Sequence, residues 1–452
     1  MNDISRILSG KLMERCDYGN LKRRYMTLQT DQERVRLILS LLRDEKILSL
    51  LPPPSNKSLT VSESYRRKGT ELFIAPSSAL RLDTTMHLYT KSIIFAPPGS
   101  RELALGYANR SAASFAARLY QDCLADISRA LALPYPDNLR AKLYVRRARC
   151  LMTLKSRTKD QEEQLNEAFK MSAEYVEKMG KNSRGRVMIE KMLQEPDKMI
   201  PPEDEYIKWQ SQALMPELLE ANPEMKGVSS ALKFEFDGAF GRYVVAARDI
   251  EAGEVVAIMK PYVAVLVAEK RLTHCDYCME QTWSSVPCES CCEVVYCNED
   301  CRKCGYHKYH DVECQAARHL IALNIIYTSL LNLRLTVTAV KEAGSIDNLR
   351  EFIQQIEDQT EPRTVKSTQH FPDRNYGTIY TMIRNTEKRE FIDLFEKTLK
   401  TCLIVLALAA KSNLFGSKFF TDVCELEDEA DVTFLAGLIM RHQQIISSNA
   451  YN

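Results

Sequence analysis

Nine of the chain's 14 cysteines lie between residues 275 and 314, and no other feature restricts the fold so tightly. They fall as Cys275-x2-Cys278, Cys288-x2-Cys291 and Cys297-x3-Cys301, with His310-x3-Cys314 closing the set. A tight turn with two ligands this close presents both to one ion at about 2.3 Å, so four pairs supply two tetrahedral Zn²⁺ sites. Sites with four protein ligands are closed and support structure without activating water. Asn298, followed by Glu299 and Asp300, is expected to cap a helix with acids in its first turn, which Cys301 then joins. His310 and Cys314 stand four residues apart and share one helix face. His307 is the rival to His310, which has the better spacing to Cys314. Cys292 and Cys304 fall out of register with the pairs and are expected to stay uncoordinated. Beyond Val294, Val295 and Tyr296 the segment has little apolar content. Its order should therefore rest largely on metal, which in structural zinc sites supplies about 10–16 kcal/mol.

The remaining composition narrows the partners. Over residues 271–320 the five basic residues Arg271, Arg302, Lys303, Lys308 and Arg318 face eight acids, and the whole chain has a formal net charge of +1. A phosphate-binding surface needs the opposite balance, so the expected partners are proteins, with no nucleic acid. The N-terminal residues show no secretory pattern. The longest apolar run, Cys402 to Ala410, is far shorter than the roughly 20 residues of a membrane span. The expected location is cytoplasm and nucleus, where cysteines persist as thiols or metal ligands. Cys16, Cys123, Cys150, Cys402 and Cys424 are scattered and are expected as small buried apolar residues.

Around the cluster the chain divides by pattern. Residues 1–60 read as a helical segment, broken by Leu51-Pro52-Pro53-Pro54. Residues 62–195 carry a weak repeat at an offset of 37, with Pro97 matching Pro134, Ala104 matching Ala141, Tyr107 matching Tyr144 and Arg110 matching Arg147. Small residues recur where helix pairs would approach closely, and proline follows the second helix of each pair. This resembles tetratricopeptide repeats. Arg140, Lys142, Arg146, Arg147 and Arg149 suggest a basic helical face for an acidic peptide. Residues 196–232, rich in proline and acid, read as a linker. Residues 233–270 cluster β-branched residues around Gly238, Gly241 and Gly253, as two or three strands would. Residues 315–452 return to helix, with a polar and irregular stretch expected over 341–375.

The ligand order, with Tyr296-Cys297 opening the third pair, resembles the MYND zinc finger. That resemblance implies interleaved sites: Cys275, Cys278, Cys297 and Cys301 on one ion, Cys288, Cys291, His310 and Cys314 on the other. GRYVVAARDIEAGEVVAIMKPYVAVL, just before the finger, looks like the first half of a SET domain. A MYND finger inserted in SET defines the SMYD protein-lysine methyltransferases, and the helical repeats are similar to the branch with such repeats at its N-terminus. The implied fold is α+β and multidomain: tetratricopeptide-like helices, a split β-rich SET portion, the inserted finger at 275–314, and a helical region at 315–452 that leads into the second SET half. The implied cofactors are two zinc ions and S-adenosylmethionine. Arg242 and Asn449 match cofactor-contacting positions, and a lysine-bearing protein would be the substrate. Three places depart from the family: Gly241-Arg242-Tyr243 where it has a GRG-type loop, and Arg302 and Tyr306 where several peptide-binding fingers have Gln and Trp. An Asn-His-Ser-Cys segment and a matching catalytic tyrosine are not found in the 452 residues. No catalytic residue is therefore assigned, and the chain as written is expected not to methylate lysine. The alternative reading is a non-catalytic zinc-binding adaptor.

Overall fold

The computed structural model describes residues 4–43, 55–75, 81–153, 157–196, 216–223, 226–237, 241–324, 327–358, 376–416, 418–420 and 422–450. The fold is helix-rich with few, short strands. It separates into two compact units: Met1–Pro54 with Gln212–Val265 and Tyr306–Asn452, and Ser55–Ser211 with Leu266–Gly305.

In the first unit the chain opens with α1 (Ile4–Arg15), α2 (Tyr18–Thr27) and α3 (Asp31–Leu42). Caps divide what read as one helical segment. Asp17 accepts from the Gly19 amide, and Thr30 forms a capping box with Glu33, satisfying amides that a helix start leaves orphaned.

The second unit begins with α4 (Leu59–Ile74), α5 (Leu82–Phe95), α6 (Arg101–Ala116), α7 (Tyr120–Leu131), α8 (Asp137–Met152), α9 (Lys159–Val176) and α10 (Arg184–Gln194). α4 packs on α5, α6 on α7 and α8 on α9, and each pair packs on the next. Small residues set these crossings. A Cβ on Gly69 would come within 2.7 Å of the Tyr89 ring, and one on Gly106 within 2.9 Å of Ile93. Ring stacking joins two of the helix pairs: Tyr65 stacks on Phe95 at 5.7 Å and Tyr144 on Tyr175 at 5.8 Å.

The basic residues of α8 mostly serve the fold. Arg140 pairs with Asp137 and lies over Tyr175, Arg146 donates to Ala108 O and Ser111 Oγ, Arg147 donates to Ser128 Oγ, and Arg149 lies over Phe115. Lys142 is exposed. The expected open basic face is thus largely turned to intramolecular work.

In the first unit, β1 (Leu232–Asp237) pairs antiparallel with β2 (Gly241–Ala246), Phe234 opposite Val244. Beyond them, residues 247–265 add only the isolated bridge of Ala257 to Val228. Of the expected linker, residues 197–215 and 224–225 lie outside the described residues, and within the described part Ala221 is bridged to Ser229.

The second unit also holds β3 (Val286–Pro287), β4 (Val295–Tyr296) and α11 (Glu299–Gly305). The first unit resumes after a single π turn (Tyr306–His310) with α12 (Asp311–Ala322), α13 (Tyr327–Ala343), α14 (Ile346–Glu357), α15 (Tyr376–Tyr380), α16 (Phe391–Lys411), α17 (Cys424–Glu427) and α18 (Ala430–Asn449). α16 is apolar on nearly every side and is correspondingly buried, with Leu399, Cys402, Ile404 and Leu408 fully so. It packs on α3, α12 and α18. Among the described residues no helix is long and apolar enough to cross a membrane.

Two sequence expectations are corrected. α14 occupies part of the stretch read as irregular. Its Ser345 cap and its buried stripe of Ile346, Leu349, Ile353 and Ile356 are spaced among charges that mask them in a composition count. Residues 359–375 of that stretch lie outside the described residues. Cys424 is exposed, because it begins a one-turn helix at the surface.

Candidate metal centre

Local structure delivers each ligand pair. The first sits on a turn closed by a His274–Gln281 bridge, with the Met279 amide donating to Cys275 O at 2.9 Å. Met279 takes φ 65° to complete the turn. The hairpin of β3 and β4, Val286 opposite Tyr296, leads out into the second pair and directly into Cys297. Asn298 Oδ1 accepts from the Cys301 amide at 2.8 Å and starts α11. Gly305 lets that helix lie against β4, since a Cβ there would meet the Tyr296 ring at 2.8 Å.

The eight sequence-singled ligands gather as two groups, Cys275, Cys278, Cys297 and Cys301, and Cys288, Cys291, His310 and Cys314. Within each group one ligand atom per residue lies within 4.8 Å of the others. A tetrahedral zinc with bonds of about 2.3 Å puts its sulfurs about 3.8 Å apart, and Cys278 Sγ stands 3.9 Å from Cys297 Sγ. The donor set of thiolate and imidazole is the one zinc prefers. Either group can hold such an ion. His310 is buried and within its group, whereas His307 is exposed. Cys292 is outside both groups and packs with Ile94 and Val295; Cys304 is exposed and also outside them.

The electrostatics set the cost of assembling the first group without a cation. Burial pushes Cys278 and Cys301 up to about 11 and Cys297 up to about 12. Cys275 moves down against the pull of its own burial, because backbone amides of Cys278, Cys297 and Tyr277 point at its sulfur. In the second group, the Ser290 amide donates to Cys288 Sγ at 3.4 Å.

Side chains that the sequence did not assign to the metal centre hold the strand leading to the second pair. Arg110, fully buried, forms a two-pronged pair with Asp126, Nε–Oδ2 2.8 Å and NH2–Oδ1 2.9 Å. It also donates to Thr90 Oγ1 at 3.0 Å, Ser285 Oγ at 3.2 Å and Ser285 O at 2.6 Å. Arg129 donates to Ser284 O, Ser284 Oγ donates to Asp122 at 2.7 Å, and Lys57 donates to Cys288 O at 2.7 Å and Ile94 O at 2.8 Å. The repeat register had marked Arg110, but nothing local in the sequence points to a partner 175 residues away.

The two cofactor candidates come to one segment. Arg242 donates to Thr378 O and Thr381 Oγ1, each at 2.9 Å. Asn449 donates to Ile383 O at 3.2 Å and Ile445 O at 2.9 Å.

Fold and site together define a helix-rich protein with two four-ligand cysteine/histidine groups. Sequence comparison finds similarity to the protein-lysine N-methyltransferase SMYD4 of Gallus gallus, 29% identical over 301 residues, covering 60% of this chain and 39% of the relative. The proteins of that name from Pongo abelii and Homo sapiens are 27% and 26% identical over 316 and 317 residues, each match covering 64% of this chain and 38% of the relative. These matches support the SMYD family for this chain. The chain spans about two fifths of the length of these curated relatives. No family model and no solved structure matches it.

Proposed function

We propose that this chain is the helical and zinc-finger part of a SMYD-type protein-lysine methyltransferase, with a MYND-type finger holding two structural zinc ions and tetratricopeptide-like helix pairs engaging protein partners. The observation that carries the reading is the gathering of eight ligands into two interleaved groups, set beside relatives whose printed name is protein-lysine N-methyltransferase. S-adenosylmethionine, when bound, would supply an electrophilic methyl group on sulfur. This chain's contribution would be Arg242 and Asn449, both fastened to the Thr378–Ile383 stretch, with β1 and β2 as the start of a SET portion. Methyl transfer needs a neutral lysine amine held in line with the donor, and a dry channel that disfavours the amine's charge.

A second reading, a zinc-binding adaptor, is favoured by the engagement of the Arg242 guanidinium with Thr378 and Thr381, which gives that side chain a structural occupation. Calorimetry with S-adenosylmethionine, followed by a methyl-transfer assay on lysine-rich protein, separates the two. Cofactor binding weakened by Arg242→Ala supports the methyltransferase reading. Absence of binding in zinc-loaded protein removes the cofactor role of Arg242 and Asn449.

A further inference from the structure

The loop that carries Cys288 and Cys291 is fastened to the helical layer at consecutive points, and almost every donor there is a cation. Lys57, Arg110 and Arg129 donate to the backbone carbonyls of Cys288, Ser285 and Ser284. Asp122 receives the Ser284 hydroxyl. One of these cations is costly to build for packing alone. Arg110 is completely buried, and a buried guanidinium persists only with a paired carboxylate and its remaining N–H groups satisfied. Asp126 supplies the carboxylate, and Ser285 supplies two of the acceptors. The helices thus need the finger loop in place, as the loop needs the helices. Lys57 touches the carbonyl of a ligand residue itself. Groups just outside a metal's ligands fix ligand orientation and tune metal affinity, and cations there favour the net negative charge that thiolates leave on a zinc site.

We propose that Lys57 and Arg110 are positioning residues for the metal held by the Cys288/Cys291 pair, so that the helical layer supplies the outer shell of that centre and its metal affinity. The inference rests on the two-zinc reading. It goes beyond that reading by making the finger's second pair dependent on residues outside the finger.

The test uses the full chain, with cobalt(II) and zinc(II) as probes. A four-thiolate centre and a three-thiolate, one-imidazole centre give different cobalt spectra, so competition with a chelator reads the two sites separately. Lys57→Met is expected to weaken the histidine-containing site by about 10–100-fold and to leave the four-cysteine site within about twofold. Lys57→Arg, which keeps a donor, is expected to restore the affinity. The paired change Arg110→Met with Asp126→Leu, which leaves no lone buried charge, is expected to act in the same direction. Should that pair not fold, Lys57→Met decides alone. Unchanged affinity at the histidine-containing site in folded Lys57→Met protein, or equal weakening of both sites, would overturn the proposal. Failure of the unaltered chain to bind either ion would instead overturn the two-zinc reading beneath it.

Discussion

Single residues carry the sharpest electrostatic consequences. Asp126 is the sole carboxylate in contact with the fully buried Arg110 guanidinium among the described residues. Asp126→Asn should therefore cost about 3–5 kcal/mol, the usual penalty for stranding a buried charge. Urea unfolding of zinc-loaded protein measures it, and a loss under 1 kcal/mol would show that the pair is not buried as described. His442 makes a pH-dependent case. Its Nε2 meets Tyr376 OH at 2.8 Å and its Nδ1 meets Thr336 Oγ1 at 3.0 Å. Burial, aided by Arg441, pulls its pKa down to about 3. An unfolded histidine titrates near 6.5, so the two states bind protons equally above that value. As pH falls from about 6.5 toward 3 the unfolded chain takes up a proton that the native one refuses, and stability drops by roughly 1.4 kcal/mol per unit. The contribution lost at pH 5 is then about 2 kcal/mol. His442→Gln should flatten that part of the stability profile in melts at pH 7.5, 6 and 5; an unchanged slope would place the acid sensitivity elsewhere.

At the scale of elements, legibility tracked how local the signal was. The Asn298 cap, the helical character of 62–195 and strands around Gly238 and Gly241 were readable because each rests on neighbours within a few residues. α14 was missed because its four buried apolar residues lie among Asp347, Arg350, Glu351, Gln354 and Gln355, and only their spacing, not their number, marks a helix. Leu349 is fully buried in a cluster with Leu335, Ile353 and Leu438. Leu349→Ala should destabilise the first unit by about 2–5 kcal/mol. Amide exchange should speed up across Ile346–Glu357, and unchanged exchange there would contradict the packing. The basic character of α8 was legible, but its use was not. Whether an arginine faces solvent or bonds a neighbouring helix, as Arg146 does to Ala108 O, depends on crossings that composition does not encode.

For the whole molecule, the ligand spacings were the strongest text in the sequence, and the groups form from those residues. What spacing cannot convey is the setting. Residues 266–305 are compact with residues 55–211, through contacts such as Arg110 with Ser285, so the ligand-bearing loop shares a unit with those helices. On the proposed reading the chain carries two separate structural zinc centres, each closed by four protein ligands. Elemental analysis of the purified full chain and two variants tests it directly. Two zinc ions per chain are predicted, falling to one in Cys278→Ala and to one in Cys288→Ala, with the double variant holding none. Fewer than two ions in the unaltered chain, or two retained in either single variant, would contradict it.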